Sequence, residues 1–180
     1  MAKRLQKKKG VVEKLKPVIT FFIVFNLLAI PLYISLYTNF SFEPLQVFDA
    51  KISAASIKAL GYDASSNYFT INLSGGGANQ KIDISWDSTG WKSMYAIFAL
   101  ILATPISRLS RRLKAGLIGI GIVFVLNYLR ITTTILISTR FGFNLFDIVH
   151  TVLWREGLIL AIVGIWLLWL NIEKHNFGKS

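Results

Sequence analysis

The chain has 180 residues, 53% of them hydrophobic, with a net charge of +11 and a mean hydropathy of +0.53. This is the composition of a membrane protein with a single small domain. The absence of cysteine excludes disulfides and thiol nucleophiles, and two histidines form no Cys/His cluster with ligand spacing, so no metal and no cofactor is expected.

Residues 1–16 form a basic tail, with Lys3, Arg4, Lys7, Lys8, Lys9, Lys14 and Lys16 against Glu13 alone. A basic tail before an apolar run marks a cytoplasmic end that contacts lipid headgroups, so the positive charge points to a membrane surface and not to nucleic acid. Residues 17–37 make the first span, TM1. It is too long for a signal peptide and lacks a small-x-small cleavage site, so it is expected to stay as an anchor. Pro31 is expected to bend it.

Residues 38–90 are polar and are assigned to an outer loop. Leu45, Phe48, Ile52, Ile57 and Leu60 recur near helical spacing and predict an amphipathic helix. From Asn67 to Trp86 the alternation of Phe69, Ile71 and Leu73, a Gly-rich turn, and then Ile82, Ile84 and Trp86 predicts a β-hairpin. Residues 91–106 are the second span, TM2, and Asp87-Ser88-Thr89-Gly90 before it is a candidate N-cap. Residues 107–114 carry Arg108, Arg111, Arg112 and Lys114 with no acid, a second cytoplasmic signature.

Residues 115–138 are the third span, TM3, and it carries Arg130. A guanidinium inside an apolar span is costly and marks a candidate functional site, unless it snorkels to the headgroups. Gly116, Gly119, Val123, Asn127, Arg130 and Thr134 share one helical face by steps of three and four. Its small residues allow another helix to approach, and its polar end favours a polar site over snorkelling. Residues 139–157 form an outer segment, 158–172 the fourth span, TM4, and 173–180 a cytoplasmic tail. A helix starting near Phe146 would let TM4 reach across and would carry His150 in its first turns. The basic excess then falls wholly on one side, as the positive-inside rule requires. The fold class expected is an all-α integral membrane protein of four transmembrane helices with a small extracytoplasmic helix and β-hairpin insertion. It belongs in the cytoplasmic membrane, with both termini inside.

This topology puts Ser88, Arg130 and His150 at one depth on three helices. A hydroxyl, a guanidinium and an imidazole suggest acyl transfer, with Ser88 as nucleophile, His150 as general base and acid, and Arg130 as oxyanion or substrate ligand. Plainer roles stay open at this point: Ser88 as a helix cap, His150 as an interfacial histidine, and Asp147 either orienting that imidazole or capping the helix. Lys92, four residues after Ser88, permits a Ser-Lys pair instead.

The elements D-S-T-G-W-K-S-M, N-Y-L-R-I and I-V-H, each near the outer end of a span, resemble the archaeosortase/exosortase family of sortase-like integral membrane transpeptidases. That family's pattern is Cys-(Thr or Ser)-Gly, then Asn-x-x-Arg, then His. The resemblance implies that Arg130 and His150 occupy catalytic positions, with Asn127 as a pattern residue; from the residues themselves, Thr134 on the same face and Asp147 before His150 are further candidates to bind or orient the substrate. It implies membrane-tethered protein substrates whose C-terminal tail joins a short motif, a transmembrane helix and a basic cluster. The tail would be cleaved on the outer face and the new C-terminus passed to a lipid or other amine acceptor. Ser88 stands where the family has its nucleophilic Cys. That leaves a serine-using branch, a replaced cysteine, or an inactive relative that binds or presents such precursors.

Overall fold

A computed structural model describes residues 2–74, 80–141 and 156–177. Helix α1 spans Ala2–Tyr37 and α2 spans Glu43–Ala59. Strands β1 (Asp63–Asn67), β2 (Thr70–Ser74) and β3 (Gln80–Asp83) follow, then a short 3-10 turn over Trp86–Thr89. Helices α3 (Trp91–Ala103), α4 (Leu109–Phe141) and α5 (Glu156–Phe177) complete the described chain.

Among the described residues, three stretches are long and apolar enough to cross a bilayer: Leu15–Tyr37 of α1, Leu109–Arg140 of α4 and Glu156–His175 of α5. Their outward faces carry exposed Phe22, Ile23, Leu27, Leu117, Ile118, Leu160 and Leu168, the surface that lipid covers. α1 runs as one helix through Pro17 and Pro31 and already includes the basic tail. α3, expected to span over residues 91–106, has only 13 residues, about 20 Å of helix, and falls short of a hydrocarbon core. The cause is local. Pro105 holds Thr104 in an extended conformation (φ −80°, ψ 108°), so the helix ends at Ala103. The freed end is then tied down by side chains. Arg112 Nη1 donates to the Leu102 carbonyl at 2.7 Å, and Trp166 Nε1 donates to Thr104 Oγ1 at 3.0 Å. Arg111, Arg112 and Lys114, assigned to a loop by sequence, lie in the first turns of α4. The predicted start of the last helix near Phe146 lies outside the described residues.

α4 runs through two cores. Near its first half, Ile97 and Ile101 of α3, Val123 of α4 and Leu158 of α5 are buried together. Near its second half, Ile131 and Ile135 meet Ala50, Ala54 and Ile57 of α2 and Ala64, Ile71, Leu73 and Ile84 of the sheet segment. α2 and the sheet therefore form a cap over one end of α4. The sheet is antiparallel in the order β1-β2-β3, with Ser65 opposite Asn72 and Ile71 opposite Ile82. Tyr68 and Phe69, read as strand residues from their alternation, instead make the tight turn between β1 and β2, with Tyr68 at φ 57°.

Both glycines of the predicted α4 face serve close helix packing. A Cβ on Gly116 would lie 2.7 Å from Phe98 Cδ2, and one on Gly119 would lie 3.0 Å from Ile97 Cγ1. The same face continues through fully buried Val123 and Asn127 to Arg130 and Thr134.

Candidate active site

Ser88 lies on the 3-10 turn between the sheet and α3. It does not cap α3. The cap residue of that helix is Gly90, with φ 73° and no side-chain hydrogen bond, and this corrects the expected capping role. The turn has its own cap in Ser85. Its hydroxyl accepts from the Ser88 N–H at 3.3 Å, and its carbonyl accepts from the same N–H at 3.0 Å. The two hydroxyls, Ser85 Oγ and Ser88 Oγ, share a hydrogen bond of 2.8 Å.

The turn is fastened to α4 by Asn127. Its Nδ2 donates to the Ser88 carbonyl at 2.9 Å, and its Oδ1 accepts from Arg130 Nη1 at 3.4 Å. Gly90 makes this approach possible. Its positive φ suits glycine, and a Cβ there would lie 2.6 Å from Asn127 Cγ. Thr89 is buried and donates its hydroxyl to the Trp86 carbonyl at 2.8 Å, closing the turn.

Ser88 and Arg130 line one cavity of about 70 Å³, with Ile82, Asp83, Ile84, Ile131, Thr134 and Ile135. Four isoleucines line it beside four polar residues, and the apolar surroundings strengthen the interactions of those polar groups. Thr134 is buried and its Oγ1 has no hydrogen-bond partner among the described residues. Of the residues expected from sequence, the structure thus brings together Ser88, Asn127, Arg130 and Thr134. His150 and Asp147 lie outside the described residues. The Lys92 ammonium pairs with Asp87 at 2.8 Å on a largely exposed surface, which leaves it poorly placed as a base for Ser88.

Sequence reasoning missed Ser85, Gln46 and the wall residues of β3. Ser85 stands three residues before Ser88, the spacing of a cap and its donor, and that was the available signal. Gln46 gave none. Its Nε2 reaches from α2 to the Ile84 carbonyl at 2.9 Å, a contact across the fold. A second cleft, about 360 Å³, lies beside the same turn between Ser35, Asn39 and Phe40 and the stacked rings of Trp86 and Trp91.

Over residues 14–170 the chain matches the family model described as transmembrane exosortase. The chain belongs to that family. No curated protein and no solved structure matches it. Exosortases are membrane proteins that process sorting signals, which makes a membrane peptidase or transpeptidase the general class suggested for the chain. Among the described residues no group of three or more His, Cys, Asp or Glu side chains is placed to hold a metal ion.

Proposed function

We propose that this exosortase cleaves the C-terminal sorting tail of membrane-tethered precursors through an ester on Ser88, and passes the new C-terminus to an amine acceptor on a lipid or another molecule. The observation that carries the reading is the cavity shared by Ser88 and Arg130, which are donated by different elements and linked through Asn127.

In this scheme His150 takes the proton of the Ser88 hydroxyl as Oγ bonds to the scissile carbonyl carbon. The proton passes to the leaving nitrogen as the C–N bond breaks, and the precursor remains as an ester on Ser88. The acceptor amine then attacks that ester and gives its proton to His150. The histidine returns it to Ser88 Oγ as the new amide leaves. Arg130 stabilises the oxyanion of each tetrahedral intermediate, and the surrounding aliphatic walls strengthen that interaction by excluding water. Asn127 holds the turn, Thr134 offers a hydroxyl to the substrate, and Asp147 orients the imidazole. The cleft beside Trp86 is the room we assign to the acceptor. The positive-inside distribution of Lys and Arg supports an orientation in which this end of the molecule faces outward from the cytoplasmic membrane.

The test is co-expression with precursors that carry a short motif, a transmembrane helix and a basic cluster at the C-terminus. Ser88→Ala, Arg130→Ala and His150→Ala should each accumulate in the membrane and leave the precursor full-length. Normal processing by all three variants would overturn the reading. Tight binding of an uncut precursor by the native chain would favour a presenting role instead.

A further inference from the structure

β3 is an edge strand, and its register shows which of its backbone groups are free. Ile82 is opposite Ile71, Gln80 is opposite Leu73, and the Ile84 N–H donates to the Phe69 carbonyl at 2.9 Å. The even-numbered residues therefore turn their backbone groups toward β2. In an antiparallel ladder the N–H and C=O of one residue point to the same side, and successive residues alternate. Lys81 and Asp83 thus present theirs to the opposite edge, where no strand pairs among the described residues.

That free edge runs into the site. Ile82, Asp83 and Ile84 all line the cavity that holds Ser88 and Arg130. Consecutive strand side chains point to opposite faces, so a cavity that touches three in a row opens along the strand's edge. Gln46 pins the Ile84 carbonyl, just where β3 gives way to the Ser85–Ser88 turn. The Asp83 carboxylate is held by the Thr70 hydroxyl at 2.6 Å on the neighbouring strand and does not compete for the edge.

We propose that the free edge of β3 receives the precursor as an added, extended strand, pairs its main chain with Lys81 and Asp83, and so delivers the scissile carbonyl to Ser88. The proposal rests on the peptidase reading above and adds the conformation of the substrate and the residues that align it. Donors and acceptors repeating every second residue match a polypeptide backbone, and neither a lipid headgroup nor a small amine carries that repeat. The short strand has charged side chains at both outward-bonding positions, which discourages indiscriminate edge pairing. The selected occupant is one that also fills the cavity at the strand's end.

Proline separates the backbone contribution from the side chain. Lys81→Pro and Asp83→Pro each remove an outward N–H and leave the bonds to β2 intact, as edge positions allow. Lys81→Ala and Asp83→Ala keep the N–H. With the full-length chain in membranes and a precursor that the native chain cleaves, each proline variant should slow cleavage by roughly three- to tenfold relative to the alanine variant at the same position. A second measurement leaves the enzyme native and methylates single backbone nitrogens of the precursor near its cleavage site. Loss of cleavage at alternate positions supports strand addition. Equal cleavage by the proline and alanine variants, or tolerance of methylation at every position, overturns it and leaves the peptidase reading standing. A native chain that cleaves no such precursor removes the peptidase reading, and this inference falls with it.

Discussion

Gly90 and Asn127 are packed so closely that a Cβ on the glycine would lie 2.6 Å from Asn127 Cγ. The contact fixes the Ser88 turn against α4, because the same Asn127 bonds the Ser88 carbonyl and Arg130. Gly90→Ala should therefore damage the site twice, through a strained φ of 73° and through displacement of Asn127. The strain alone costs about 1–3 kcal/mol. If that cost falls on the transition state, precursor cleavage should drop by roughly five- to 150-fold. Gly121→Ala, whose added Cβ meets nothing within 4 Å, should leave cleavage unchanged. Cleavage rates of the two variants at equal membrane levels check this.

Asn127→Leu should be worse than its size suggests. It fills the same buried position but strips the Ser88 carbonyl of its donor and Arg130 of an acceptor. Leaving a buried polar group unpaired costs about 1–3 kcal/mol. The variant should insert into membranes, lose cleavage and unfold at a lower temperature in a detergent melt.

Ser85 and Ser88 divide into partner and nucleophile. Ser85→Ala removes the 2.8 Å hydroxyl contact and the cap of the turn, and should lower the cleavage rate roughly tenfold without abolishing it. Ser88→Ala should abolish cleavage. Ser88→Cys should keep or raise the rate, because a thiolate is the stronger nucleophile and the surrounding site already suits it. Side-by-side rates of the three variants separate these roles.

Asp49 predicts a pH effect apart from catalysis. It is 1% exposed on the inner face of α2, and among the described residues neither carboxylate oxygen has a hydrogen-bond partner. Burial pushes its pKa from 3.8 up to about 7. The folded chain then holds this proton over a pH range in which the unfolded chain has lost it. The resulting stability is fully present below about pH 4, declines as pH rises toward 7, and is gone above that. Asp49→Asn should flatten the decline and raise the melting temperature at pH 8, with little change at pH 4. Thermal melts of both chains across that range check the sign.

Much of this arrangement is legible in the chain. The steps of three and four from Gly116 to Thr134 mark the α4 face that packs on α3 and ends at the cavity. Periodicity suffices there because one helix carries every residue. β1 is different. Its sequence D-A-S-S-N has a single apolar residue, the buried Ala64, so no alternation announces a strand, and pairing with β2 creates it. The end of α3 was half-legible: Pro105 signals a stop, but the effect of proline on the preceding residue moves the boundary back to Ala103. Gln46 could not be read at all, since its value lies in a bond to Ile84 that exists only after α2 docks on the sheet.

The most direct test is a covalent one. The full-length chain, incubated with a cleavable precursor and no added acceptor, should carry the precursor's new C-terminus as an ester on Ser88, identified by mass spectrometry of the peptide that contains Ser85 and Ser88. The adduct should be discharged by an added amine and should be absent from Ser88→Ala. Cleavage that proceeds with no adduct on Ser88, or that persists in Ser88→Ala, would contradict the account.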